Sequence, residues 1–247
     1  MKLTVIGFWG GYPGPDGATS AYLLEKGDFT LLMDAGSGSL SKLQKRKHVM
    51  DLDAVILSHY HSDHIADIGV LQYARLVQSY LNGPVDTLPI YGHTEDKAGF
   101  NQLTHKCTKG VAYDPKSVLT IGPFSITFLK TNHPVPCFGM RITDGDATIV
   151  YTADTAFKEE WADFAKEADL LITDCNFYAD QDGAQAGHMT SEEGATIAAE
   201  SNAGELLLSH LPQYRNNLDL VTEASAHFSG NIHLAREDFT WEKSHNF

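Results

Sequence analysis

The sequence is poor in cysteine and in positive charge, and it contains no long apolar run. Its cysteines, Cys107, Cys137 and Cys175, are scattered, odd in number and without a Cys-x-x-Cys pair. That argues against a disulfide framework and suits a reducing, cytoplasmic setting. Lys and Arg number 18 against 32 Asp and Glu, a net charge of −14. Such a balance disfavours tight, indiscriminate binding to nucleic-acid phosphates, although bound cations could still hold one phosphate locally. No stretch approaches the roughly 18 apolar residues of a membrane span, and Met1 to Gly7 reads as a strand rather than a signal peptide. There is no repeat, low-complexity tract or linker. All 247 residues, 43% of them hydrophobic, are therefore expected to form one α/β domain, 1–247, with a substantial core.

What the chain does have is histidine, 12 in all, and their placement is informative. Val55-Ile56-Leu57-Ser58 reads as a buried strand that runs into His59-Tyr60-His61-Ser62-Asp63-His64. Neutral imidazole and carboxylate are the ligands that Zn²⁺ and similar borderline cations take. On a tight loop, His59 and His61 can converge on one ion while Asp63 and His64 serve a second. Three other strand ends carry a ligand-type residue in the same way. His133 follows Phe128-Leu129-Lys130-Thr131, Asp154 follows Ile149-Val150-Tyr151-Thr152-Ala153, and His210 follows Glu205-Leu206-Leu207-Leu208-Ser209. An aspartate placed like Asp154 can bridge two cations. Asp34, closing Phe29 to Asp34, is costly to bury unless hydrogen-bonded, so it is expected to brace the histidine loop.

The remaining pattern alternates strands and helices. Lys2 to Phe8 is a strand, followed by a Gly/Pro-rich loop, Gly10 to Gly17, suited either to lie against a ligand or simply to connect. Ala18 to Lys26 and Phe29 to Asp34 form a hairpin across Gly27-Asp28. Short helices are expected at Ser39 to Lys47 and, capped by Thr94, up to Leu103. A long helix is expected over Ile65 to Leu81, with an apolar stripe at Val70, Tyr73, Ala74, Val77 and Leu81 that Ile68 and Leu71 widen. Cover on two sides of that helix favours a homodimer. His93 and His105 are expected to be surface or helix-end residues, and Arg141, on a strand, to be structural or paired. Tyr214 is a loop aromatic that could simply pack, and His227, His233 and His245 receive no role. Strand-rich first and second portions, each with helices, suggest two sheets packed face to face.

Taken together, His59, His61, Asp63, His64, His133, Asp154 and His210 resemble the ligand set of the metallo-β-lactamase superfamily, over essentially the whole chain. The resemblance implies a four-layer αβ/βα sandwich binding two divalent metal ions, zinc first and manganese as the alternative. In that pattern His59, His61 and His133 hold one ion, Asp63, His64 and His210 hold the other, and Asp154 bridges. An aspartate bridge resembles the hydrolase and phosphodiesterase branches more than the antibiotic-degrading enzymes.

Within the superfamily, Ala153-Asp154-Thr155 and Gly187-His188-Met189-Thr190 resemble segments of the ribonuclease Z-like group. That likeness implies that His188 acts near the scissile bond, held by an acid on the preceding strand, here Asp174 where the group typically has glutamate. His188 also precedes Thr190-Ser191-Glu192-Glu193, a helix start, on an exposed loop. Transfer-RNA-processing members usually carry a long Gly/Pro-rich arm between the positions of His133 and Asp154. Here the interval reads as a plain hairpin, which moves the expectation to a small phosphodiester of the cyclic nucleotide or cyclic sugar phosphate type. A metal-bridging hydroxide, oriented by Asp63, would attack, and His188 would protonate the leaving group. The alternatives are an arm-less RNA endonuclease, an ester or lactone hydrolase on the same metals, and a metal-holding protein without turnover.

Overall fold

A computed structural model describes residues 1–243; His245 lies outside the described residues. Contacts divide the chain into two compact units, one chiefly Met1–Asp114 with Glu237–Glu242, the other chiefly Pro115–Thr120 with Phe124–Arg236.

The first unit contains β1 (Lys2–Gly7), β2 (Ala21–Lys26), β3 (Phe29–Met33), β4 (Ala54–Ile56), β5 (Leu88–Gly92) and β6 (Thr108–Ala112). The strands β7 (Leu119–Ile121), β8 (Phe124–Lys130), β9 (Phe138–Thr143), β10 (Thr148–Tyr151), β11 (Leu170–Asp174), β12 (Glu205–Ser209) and β13 (Asn231–Leu234) make one sheet, in the order β13-β12-β11-β10-β9-β8-β7. A last strand, β14 (Thr240–Glu242), completes the first unit's sheet, in the order β14-β1-β2-β3-β4-β5-β6. Sequence pattern misses β14, because three residues are too few to show a period. Pairing with the edge of β1, Leu3 opposite Trp241, is what makes it a strand.

Both sheets are mixed. In the first, β2 and β3 form an antiparallel hairpin in which Lys26 faces Phe29 and Gly27 supplies a φ of +58°, the positive φ that tight hairpin turns require. From β3 to β6 the strands run parallel. In the second, β8, β9 and β10 are antiparallel, whereas β10 to β13 are parallel. Parallel strands covered on both faces read as continuous apolar runs. That is why Ala54-Val55-Ile56 and Leu170-Leu171-Ile172 lie fully inside. The first unit's core gathers Ile6, Leu23, Leu32, Val55, Leu71 and Ile90.

The helices of the first unit are α1 (Ser39–Leu43), α2 (Ser62–Ile65), α3 (Ile68–Asn82) and α4 (Lys97–Asn101). The single helix expected over Ile65 to Leu81 is thus two. Asp67 interrupts it, because its Oδ2 accepts Leu40 N–H at 2.8 Å while its own N–H donates to the Ala35 carbonyl at 3.0 Å. Helix α3 turns Ile68, Leu71, Gln72 and Arg75 inward. Of the stripe read from the sequence, Ala74 packs against the core, whereas Val70, Tyr73, Val77 and Leu81 are exposed at 53, 65, 38 and 71%. Asp96, not Thr94, caps α4, its Oδ1 accepting Ala98 and Gly99 N–H at 2.9 and 3.0 Å. In the second unit α5 (Glu160–Phe164), α6 (Ser191–Glu200) and α7 (Leu218–Ala224) complete the pattern. No described helix is long and apolar enough to cross a membrane.

Candidate metal centre

In the first unit, β4 delivers Leu57-Ser58 directly into the histidine loop. The loop is held by Asp34, fully buried at the end of β3 with a left-handed φ of 57°. Its Oδ1 accepts Ser58 N–H at 2.8 Å, and its Oδ2 accepts the Ser58 hydroxyl at 2.9 Å and His64 Nδ1–H at 2.8 Å. Since the Ser58 hydroxyl donates to Asp34, it accepts from His59 Nδ1–H, 3.0 Å away. Both imidazoles are thereby fixed as Nδ1–H tautomers with the lone pair on Nε2, the arrangement a metal-ligating histidine needs. The rings pack closely, with centroids 4.8 Å apart for His59–His61 and 4.2 Å for His59–His64. Asp63 Oδ2 lies 3.6 Å from His64 Nε2 and accepts Gly11 N–H at 2.8 Å.

The second unit brings together His133, Asp154, Asp174, His188 and His210. Asp154 follows Ala153, whose φ is 53°, and His210, at the end of β12, has φ 55°. Non-glycine residues held in this region carry strain that accumulates at functional sites. The Gly187 carbonyl accepts His133 Nδ1–H at 3.0 Å, so His133 too presents its lone pair on Nε2. That Nε2 lies 4.0 Å from Asp154 Oδ2, while His210 Nε2 lies 3.4 Å from Asp154 Oδ1. Each oxygen of one carboxylate faces a different imidazole, the disposition a bridging ligand requires.

Asp174, buried at the end of β11, serves two histidines. Its Oδ2 accepts His188 Nδ1–H at 2.8 Å, and its Oδ1 stands 3.5 Å from His210 Nδ1. Thr155 N–H and Asn176 N–H also donate to it, at 3.1 and 3.2 Å. Burial alone would push the Asp174 carboxyl up, but the charge of His188 and its hydrogen bond outweigh that and hold it low. Burial likewise works to lower His188, and the Asp174 charge reverses the sign, holding its imidazole above the ordinary value. The His188 ring stacks on His210 at 5.1 Å and 19°, and meets His133 edge-on at 5.3 Å. One ligand-type atom from each of Asp154, Asp174, His188 and His210 lies within 4.8 Å of the others.

Every site residue read from the sequence falls into one of these two groups. His93 does not fit its expectation as a surface or helix-end residue. It is fully buried just after β5, its ring 4.6 Å from Tyr60 and 6.3 Å from Tyr113. Tyr60 anchors there by donating its hydroxyl to the His93 carbonyl at 2.6 Å. His105 is exposed, and Arg141 donates to the Phe164 carbonyl at 3.1 Å. His227 and His233 pair with Glu192 and Glu205, away from the cluster. Gly11 and Gly187 escaped sequence reading because they act through backbone groups. Their only signal was glycine beside a loop or a histidine.

A profile of the Beta-lactamase superfamily domain matches residues 30–211, and the chain belongs to that family. Its sheets and flanking helices are those of the metallo-β-lactamase fold. It is 56% identical over 243 residues to the probable metallo-hydrolase YhfI of Bacillus subtilis, covering 98% of this chain and all of that one. The crystal structure of YhfI superposes with a TM-score of 0.97 over 98% of this chain and 99% of that chain, at 55% identity. A ribonuclease Z of Metallosphaera sedula is 24% identical over 271 residues, covering 91% of this chain and 93% of its own. Human tRNase Z, short form, shares the fold with a TM-score of 0.77 at 20% identity, over 98% of this chain and 99% of that chain.

Proposed function

We propose that the whole chain, 1–247, acts as one catalytic domain, a metal-dependent hydrolase that cleaves a small phosphodiester of the cyclic nucleotide or cyclic sugar phosphate type. His59, His61 and His133 would hold one divalent ion, Asp63, His64 and His210 the other, with Asp154 shared and zinc or manganese as the metal. The donor set fits such ions. His59, His64 and His133 each have Nδ1–H committed to an oxygen acceptor, which leaves the lone pair on Nε2, the atom that would ligate a metal. When bound, the two cations supply Lewis acidity to the phosphoryl oxygens and lower the pKa of water.

The observation that carries the reading is the pair of half-buried His188 with buried Asp174, whose hydrogen bond measures 2.8 Å. Asp174 fixes Nδ1–H, so Nε2 of a protonated His188 can donate to a leaving alkoxide, which a phosphodiester needs. Asp174 is engaged by two imidazoles and two backbone N–H groups, so it serves as a positioning residue rather than a ligand. Asp63, held by Gly11 N–H, would accept a hydrogen bond from the attacking water and align it. Between His133 and Asp154 lie β9 and β10, an antiparallel hairpin with Thr143 facing Thr148, which leaves no arm to grip tRNA. The likeness to ribonuclease Z supports RNA cleavage as the second reading. The exposed face of α3 suits the homodimer expected from the sequence.

The test is a substrate panel on metal-loaded protein: bis(p-nitrophenyl) phosphate, cyclic nucleotides, labelled RNA and lactones. Phosphodiester turnover is expected, and His188→Ala should lower its kcat about 10²- to 10⁴-fold without loss of metal. Turnover of lactones alone would overturn the reading.

A further inference from the structure

The Gly10 to Gly17 loop has a structural tie to the centre that the metal ligands do not account for. Gly11 N–H donates to Asp63 Oδ2 at 2.8 Å, and the next residue, Tyr12, turns its N–H back to the Gly10 carbonyl at 2.8 Å. The loop is propped from within by Trp9. A Cβ on Gly14 would stand 3.2 Å from the indole and one on Gly17 only 2.5 Å. Gly17 N–H closes onto the Gly14 carbonyl at 2.9 Å, and the Phe8 ring lies 4.8 Å from Trp9. Pro13 and Pro15 fix φ and remove further backbone freedom. Gly11 has φ +70°, and a Cβ placed there would meet nothing within 4 Å. The backbone conformation, not crowding, therefore requires glycine at this position.

This stiff loop keeps Tyr12 63% exposed. Its Cα is one residue, about 3.8 Å, from that of the residue bonded to Asp63. An exposed aromatic on a braced loop beside a phosphodiester centre offers a face to a nucleobase, and bracing the loop lowers the ordering entropy that stacking costs.

We propose that Tyr12 is a specificity-determining residue, the platform on which the base of a cyclic nucleotide stacks. This rests on the phosphodiesterase reading above and narrows its substrate class to nucleotides. Gly11 would thus fix the carboxylate at the reacting end, while Tyr12 takes the base at the other.

Tyr12→Ala and Tyr12→Phe, both metal-loaded, test the assignment. Tyr12→Ala should raise KM for cyclic AMP on the order of tenfold, with a matching rise in Kd for its hydrolysis-resistant phosphorothioate analogue by calorimetry. The ratio of kcat/KM for cyclic AMP to that for a base-free cyclic ribose phosphate should fall by about the same factor. Tyr12→Phe should restore all three values. An unchanged ratio, an equal loss on both substrates, or no rescue by phenylalanine overturns the role of Tyr12 while leaving the phosphodiesterase reading intact. If the unsubstituted protein cleaves no phosphodiester, that reading falls and this one with it.

Discussion

In the first unit a single carboxylate, Asp34, receives Ser58 N–H, the Ser58 hydroxyl and His64 Nδ1–H, and through Ser58 it also sets His59. In the second unit the same work is divided. The Gly187 carbonyl takes His133, while Asp174 faces His188 and His210. Candidate ligands that come from one short loop share one anchor; those from separate strand ends are divided between two. The first group is therefore expected to fail as a whole, and the second to fail anchor by anchor.

The largest effect is expected from Asp34→Ala. It leaves three buried donors without their acceptor, at about 1–3 kcal/mol for each unsatisfied group. A fall in Tm on the order of 10 °C follows for a chain of this size. Because His59 and His64 belong to different ions on the proposed assignment, affinity should drop about 10- to 100-fold at both. Titration of apo protein with zinc, followed by calorimetry, reads the two steps separately. Asp34→Asn keeps the volume and serves if the alanine variant does not fold. Weakening of one step alone would break the shared-anchor account.

Asp174→Asn comes next. The amide fills the same space and retains one acceptor, but it loses the charge that favours protonated His188. We expect kcat on phosphodiesters to fall about 10²-fold and the ion bound through His210 to weaken by roughly tenfold. Stability should change less than in Asp34→Ala, since Thr155 and Asn176 N–H keep an oxygen to face. A variant with full kcat and normal metal content would remove Asp174 from the site.

The anchors were unequally legible in the sequence. Asp34 announced itself as a carboxylate ending an apolar strand, where burial demands partners. The candidate ligand residues showed the same grammar at β4, β10 and β12, because strands buried along nearly their whole length leave polar side chains only at their ends. The stripe on α3 misled about burial. Helical periodicity locates an apolar face but does not say whether the chain itself covers it, and here Gln72 and Arg75 turn inward instead. The Arg75 guanidinium donates to the carbonyls of Val49 and Asp86, both at 2.8 Å. Backbone anchors carry no side-chain signature at all, so Gly11 and Gly187 emerged only from the fold.

Gly187→Ala probes that hidden class and is expected to have the smallest effect of the three. Gly187 has φ +79°, and a Cβ there would lie 2.6 Å from Pro134 Cδ and 2.8 Å from His133 Nδ1. The clash and the left-handed backbone both push the carbonyl away from His133, at a cost of about 1–3 kcal/mol for the backbone alone. His133 then loses the acceptor that fixes its tautomer, while Asp34 continues to hold His59 and His64. Affinity should fall roughly tenfold in one titration step and stay unchanged in the other, the opposite of Asp34→Ala. Equal weakening of both steps would mean that the second unit's anchors are coupled, and the contrast between the two units would not hold.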